Sequence, residues 1–132
     1  MTQHATRILA CLTDSADAQR VTRAAVLLAR SQCAELFALY VEAPGAATRR
    51  PPQVAQQLSR NLRHAAGLGA RVEVLSSRRI AETILQFARA NCVGRIVVGA
   101  ARRTGWRRIV EEDVVARLRA KAGAIEVVVA DE

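Results

Sequence analysis

Aromatic side chains are scarce in this chain. Phenylalanine, tyrosine and tryptophan make up 3% of the 132 residues, whereas hydrophobic residues in total make up 51%. The core must therefore be filled by alanine, valine, leucine and isoleucine, and such small side chains on regular elements suit helices packed on a sheet. The same scarcity argues against an aromatic surface on which nucleic-acid bases could stack.

The chain also lacks a hydrophobic run of the roughly 20 residues that cross a membrane. Its first seven residues are polar and do not form the apolar core of a signal peptide. A length of 132 residues fits one domain and not two. We therefore expect a single cytoplasmic domain over residues 1–132, which could belong to a membrane-bound parent protein.

Cysteine and histidine are too few and too scattered for a metal site. Cys11, Cys33 and Cys92 show no C-x-x-C spacing, so neither a zinc site nor a disulfide framework is indicated. Each cysteine lies in or next to an apolar segment, which predicts buried structural thiols. His4 and His64 have no partner at a useful spacing. We predict no metal site and no catalytic residue.

Lysine is nearly absent, because Lys121 is the only lysine among 20 basic residues and the rest are arginines. A GC-rich genome would favour arginine codons, and arginine is also the side chain that grips phosphate or carboxylate best. The formal charge of +8 and a pI near 11.1 would suit nucleic acid. However, there is no helix-turn-helix pattern and the arginines are spread widely. We predict no nucleic-acid partner.

Short apolar runs alternate with helical patterns along the whole chain. Apolar runs bounded by polar residues predict strands, whereas apolar residues three and four apart predict helices. The strands are predicted at residues 7–13, 34–41, 71–75, 93–98 and 125–130, with helices between them and a mobile loop at 46–50. The alternation predicts an α/β fold with three layers, α/β/α, around a five-stranded parallel sheet of strand order 3-2-1-4-5.

In such a sheet, the strand order reverses between strands 1 and 4. Ligands bind at the carboxyl ends of the strands beside that reversal. Two loops are therefore the candidate site, residues 13–17 and residues 99–108. The candidate ligand-binding or partner-binding residues are Thr13, Ser15, Tyr40, Gly99, Arg102, Arg103, Trp106, Arg107 and Arg108.

The order of elements and the opening strand, residues 8–12, resemble the universal stress protein family, whose fold is that of the adenine-nucleotide alpha-hydrolases. ATP-binding members have an aspartate after strand 1 and a Gly-x2-Gly-x9-Gly-Ser/Thr loop after strand 4. Here Thr13 replaces the aspartate, and only Gly99 matches the loop, since Arg102 replaces its second glycine and Glu112-Asp113 replaces its final Gly-Ser/Thr pair. We therefore do not expect ATP to bind in the family's usual manner.

The loop after strand 4 is similar to an arginine-rich, tryptophan-containing segment in the stress-protein-like domain of KdpD-type sensor histidine kinases. Residues 39–42, 60–69 and 127–132 resemble further stretches of that domain. The resemblance implies a non-catalytic regulatory domain in potassium and osmotic signalling, whose partners are the other cytoplasmic domains of the parent kinase. The alternative is a free-standing stress protein, a homodimer that binds ATP or a cyclic dinucleotide.

Some relatives of this domain bind cyclic di-AMP, which leaves that ligand open here. Their pattern has hydroxyl side chains after strand 1 and a Phe-Thr-Ala-x-Tyr run in strand 2. Thr13 and Ser15 could supply the hydroxyls. Ala38 and Tyr40 match the second run, whereas Leu36 and Phe37 do not match its Phe-Thr pair. Cyclic di-AMP is therefore a candidate ligand of the residues at the carboxyl ends of strands 1 and 2.

Four arginines lie within seven residues and flank Trp106. They could pair with the acidic residues 111–113 on the next helix, at spacings that suit surface ion pairs. They could equally bind an anion or an acidic partner, since cations at the start of a helix oppose its macrodipole. Both interpretations stay open at the level of the sequence.

Overall fold

The computed structural model describes residues 6–99 and 114–130. The strands are β1 (Arg7–Cys11), β2 (Glu35–Glu42), β3 (Arg71–Ser76), β4 (Arg95–Gly99) and β5 (Glu126–Ala130). The helices are α1 (Ala18–Gln32), α2 (Ala46–Arg49), α3 (Pro52–Gly67) and α4 (Ile80–Ala90), and the described part of α5 covers residues 114–121. Strand and helix positions agree with the predicted pattern, with ends shifted by a residue or two.

All five strands are parallel and their order is β3-β2-β1-β4-β5. The predicted fold class and strand order are therefore confirmed. The order in which the strands are added reverses between β1 and β4, which pair from Ile8 opposite Arg95 onwards. This arrangement places the ends of β1 and β4 side by side at the carboxyl edge of the sheet.

The sheet separates the core into two clusters. Side chains alternate across a strand, so neighbouring residues of β1 serve different layers. Ile8 and Ala10 pack in the cluster under α1 and α3, whereas Leu9 packs in the cluster under α4 and α5. Burial on both faces explains why the central strands are continuous apolar runs rather than alternating ones.

Residues 46–50, predicted as a mobile loop, contain the short helix α2. Gly45 precedes it with a φ of 81°, a left-handed conformation that glycine adopts without strain. The Thr48 hydroxyl donates a hydrogen bond to the Gly45 carbonyl at 2.9 Å. Pro44 and Gly45 therefore turn the chain into one helical turn and do not open a loop.

The prediction of three buried thiols is wrong for Cys33 and Cys92, which are both exposed. Each follows the last residues of a helix and has a left-handed backbone, with φ of 52° and 57°. In both, the backbone N–H donates a hydrogen bond to a carbonyl in the last turn of the preceding helix. The helix ends there, so the cysteine side chain does not continue its apolar face. Cys11 differs, because it packs against the α4 cluster and burial raises the pKa of its thiol to about 12.

Candidate functional site

The candidate site lies at the carboxyl edge of the sheet, where β1 continues into the loop at residues 13–17. Residues 100–108 of the second predicted loop lie outside the described residues, and with them Arg102, Arg103, Trp106, Arg107 and Arg108. The structure describes Thr13, Ser15, Tyr40 and Gly99. The described half of the site is therefore formed by β1, β2, α2 and α3.

The two predicted hydroxyl residues, Thr13 and Ser15, shape the loop after β1. The Ser15 backbone N–H donates to Thr13 Oγ1 at 3.3 Å, and the Asp17 backbone N–H donates to Ser15 Oγ at 3.2 Å. Side chains of this type accept hydrogen bonds from backbone groups two residues on and so form turns. Both hydroxyl oxygens therefore help to set the path of the chain into α1.

Asn61 of α3 anchors this loop, a role that the sequence did not reveal. Its side-chain amide donates to the carbonyls of Thr13 and Ser15, at 2.9 and 2.8 Å, and its Oδ1 accepts from Gln57 Nε2 at 3.0 Å. Only 1% of Asn61 is exposed. The sequence feature that could have indicated this role is a polar residue on the apolar face of α3, between the buried Leu58 and Ala65.

Tyr40, Glu42 and Arg50 form a second cluster at the end of β2. Arg50 Nη2 donates to the Tyr40 hydroxyl at 3.2 Å and pairs with Glu42 Oε1. The guanidinium carbon lies 5.8 Å from the centre of the Tyr40 ring, within the range of a cation–π contact. The Arg50 and Glu42 side chains are 10% and 19% exposed, so the pair is partly shielded from water.

The Tyr40 hydroxyl remains protonated at neutral pH. Burial raises the pKa of Tyr40, and the negative charge of Asp14 raises it further, whereas the Arg50 cation acts in the opposite direction. Asp14 belongs to the loop after β1, so the charge of that loop acts on this cluster. The carboxyl ends of β1 and β2 thus present a neutral phenol, a guanidinium and two carboxylates, which can hold a polar ligand by hydrogen bonds.

Gly99, the last residue of β4, lies opposite Ala130 of β5. A Cβ atom at Gly99 would stand 3.2 Å from Val21 Cγ2, closer than most such contacts in proteins. In ATP-binding members of the family, a glycine at this position lets the backbone approach the phosphate groups closely. In the structure it has a second reason, which is the tight packing of α1 against β4.

Gly99→Ala is expected to lower the free energy of unfolding by about 1 kcal/mol, because the added methyl group overpacks the contact with Val21. Urea denaturation followed by circular dichroism measures the loss. In the background of Val21→Ala, which frees that space, the same substitution is expected to cost less than about half as much. An equal cost in both backgrounds would contradict the packing explanation.

No group of three histidine, cysteine, aspartate or glutamate side chains that could hold a metal occurs within residues 6–99 and 114–130. His64 lies on α3 and is half-buried, and its Nδ1 has no hydrogen-bond partner within those residues. No helix in the same part of the chain is long and apolar enough to span a bilayer.

Comparison with known proteins agrees with the fold and with the predicted branch of the family. "Sensor protein KdpD" from Mycobacterium tuberculosis (strain CDC 1551 / Oshkosh) is 30% identical over 122 residues, which cover 92% of this chain and 14% of the relative. The protein of the same name from Escherichia coli K12 is 33% identical over 112 residues, which cover 84% of this chain and 12% of the relative. The chain thus spans about an eighth of these relatives.

Solved structures show the same architecture. A universal stress protein crystallised in complex with cAMP superposes with a TM-score of 0.69 and 17% identity, covering 98% of both chains. At that identity the likeness establishes the fold alone. The sequence model of the universal stress protein family matches residues 4–129. With nearly its whole length matched, this chain belongs to the universal stress protein family.

Proposed function

We propose that this chain is the non-catalytic regulatory domain of a KdpD-type sensor histidine kinase that acts in potassium and osmotic signalling. The observation that carries the proposal is the similarity to KdpD sensor proteins over 92% of the chain. The kinase chemistry would belong to other domains of the parent protein. This domain would sense or transmit a signal through the carboxyl edge of its sheet, on the cytoplasmic side.

The described half of that edge supports binding rather than catalysis. Thr13, Ser15 and Asn61 form hydrogen bonds that fix the loop after β1, and Tyr40 is a buried phenol bound to Arg50. A preformed edge of this kind can recognise a ligand or a partner domain without a change of covalent bonds. Arg102, Arg103, Trp106, Arg107 and Arg108 would complete it as an anion or partner site.

The family's usual ligand, ATP, fits this edge poorly. Thr13 stands where ATP-binding members have an aspartate, and residues 112–113 place two carboxylates where glycine and a hydroxyl residue bind phosphate. Cyclic di-AMP remains a candidate, with Thr13, Ser15 and Tyr40 as its hydroxyl contacts. Each of these hydroxyl groups can donate as well as accept a hydrogen bond.

The second candidate function is a free-standing universal stress protein that binds ATP or a cyclic dinucleotide, as a homodimer. It is favoured by the solved stress protein that was crystallised with cAMP and superposes over 98% of this chain. The two functions differ in what they require. The first requires a histidine kinase in the same reading frame, whereas the second requires tight nucleotide binding by the isolated chain.

Thermal unfolding in the presence of ATP, cAMP and cyclic di-AMP separates the two functions. A ligand that binds only the folded state raises the melting temperature, and the stabilisation grows with the logarithm of the ligand concentration divided by Kd. We expect no shift with ATP or cAMP at micromolar concentration, and a reading frame that continues into a kinase. A clear shift with micromolar ATP, together with a reading frame that ends at this domain, would contradict the proposal and support the free-standing stress protein.

A further inference from the structure

A cavity of about 400 Å³ opens at the amino edge of the sheet, opposite the candidate site. It lies where α1 and α3 end and where β2 and β3 begin. Its apolar wall is formed by Val26, Ala29, Leu36 and Leu68. Its volume falls within the range of small-molecule sites, which are mostly apolar with a few polar groups at fixed positions.

The rim of this cavity carries positive charge that the described protein does not neutralise. Arg30 and Arg71 line the rim and are exposed, and within residues 6–99 and 114–130 neither is part of an ion pair. The carboxylate on the rim, Glu35, already pairs with Arg7 at 3.0 Å. Arg30 also stabilises the carboxyl end of α1, but Arg71 lies in a strand and has no such role.

The walls of the cavity are held by backbone hydrogen bonds. At the end of α1, the Ala34 N–H donates to the Ala29 carbonyl at 2.8 Å, and at the end of α3 the Ala70 N–H donates to the Ala65 carbonyl at 3.0 Å. Gly69, with a φ of 97°, completes the turn after α3 in a left-handed conformation that glycine adopts without strain. The cavity is therefore present before any ligand arrives.

We propose that this cavity binds a small organic anion, with an apolar body against Val26, Ala29, Leu36 and Leu68 and one acidic group between Arg30 and Arg71. Guanidinium groups bind carboxylate, sulfonate and phosphate groups through paired hydrogen bonds. The site is separate from the carboxyl edge and does not depend on the function proposed there. It would be a second input to the domain, at the opposite end of α1.

The dye 8-anilinonaphthalene-1-sulfonate is a probe of this chemistry, because it combines an apolar body with one sulfonate. Its uncharged analogue N-phenyl-1-naphthylamine has the same body and no acidic group. Fluorescence titration is expected to show one saturable site for the sulfonate, and at least ten-fold weaker binding of the uncharged analogue. Arg30→Gln combined with Arg71→Gln should weaken the sulfonate at least ten-fold and leave the analogue unchanged.

Arg23→Gln combined with Arg60→Gln is the matched control, since both arginines are exposed on α1 and α3, carry the same charge and do not line the cavity. It should change the affinity for the sulfonate less than two-fold. An equal loss in both double variants would overturn the proposal, because binding would then follow net charge alone.

Two cysteines report where the probe binds. Cys33 lines the cavity, whereas Cys92 has the same left-handed backbone and exposure at the end of another helix and lies outside it. Saturating sulfonate should slow the alkylation of Cys33 by uncharged iodoacetamide at least five-fold and leave Cys92 unaffected, as peptide mass spectrometry would show. Binding without protection of Cys33 would place the probe elsewhere and overturn the proposal.

Discussion

Replacing Asn61 by aspartate is expected to lower the free energy of unfolding by about 3 kcal/mol, because two partly buried carbonyl groups lose their donor and face a buried carboxylate instead. The Asn61 amide is the group that donates to the carbonyls of Thr13 and Ser15. The aspartate has the same size, so the loss does not come from a cavity. Urea denaturation at neutral pH measures it.

The loop should also open locally in this variant. Hydrogen exchange at the backbone amides of Ser15 and Asp17, which donate to Thr13 and Ser15 side chains, is expected to accelerate. Gln57→Ala is the control, since it removes only the hydrogen bond to Asn61 Oδ1 and should cost less than about 1 kcal/mol. A loss below that value for Asn61→Asp would show that α3 does not hold the loop.

Arg50→Met is expected to lower the free energy of unfolding by about 2 kcal/mol. Methionine keeps most of the apolar stem but leaves the Glu42 carboxylate, with 19% of its side chain exposed, without its cation. Removing one partner of a fully buried pair costs more, and partial exposure reduces the penalty here. Arg49→Met, on the exposed neighbouring residue, should change stability by less than about 0.5 kcal/mol.

The titration of Tyr40 gives an independent measure of the same contact. Arg50 lowers the pKa of Tyr40 against the larger effects of burial and of Asp14, so its removal should raise that pKa further. Tyr40 is the only tyrosine in the chain, and the ultraviolet absorbance of its phenolate therefore reports one group. An unchanged titration in Arg50→Met would contradict the contact between the guanidinium and the phenol.

The sheet could be predicted because its pattern is local and redundant. Residues 8–10 are apolar without interruption, a pattern typical of strands that are buried on both faces. The alternation of strands with helices then leaves few possible topologies. The position of the candidate site followed from that topology, since the ends of β1 and β4 must be neighbours. Thr13 and Ser15 were predicted as site residues in this way.

The roles of Asn61 and Arg50 could not be predicted, because they depend on contacts between residues that are distant in the sequence. Asn61 is separated from Thr13 by 48 residues, and nothing near it in the sequence indicates that its amide meets that carbonyl. Arg50 likewise reaches back to Tyr40 and Glu42 only because α2 turns the chain. The exposure of Cys33 was not predicted for another reason. Its apolar neighbours predict a buried side chain, but the left-handed backbone at the end of α1 turns that side chain away from the core.

The two-sided sheet has a consequence for how substitutions in this domain combine. Ile8 and Leu9 are adjacent in the chain but belong to different clusters, separated by the thickness of the sheet. Substitutions that share no partners usually act additively. A substitution in the layer of α1 and α3, which borders both the loop after β1 and the cavity, is therefore expected to change stability by the same amount whatever residues α4 and α5 carry on the other face.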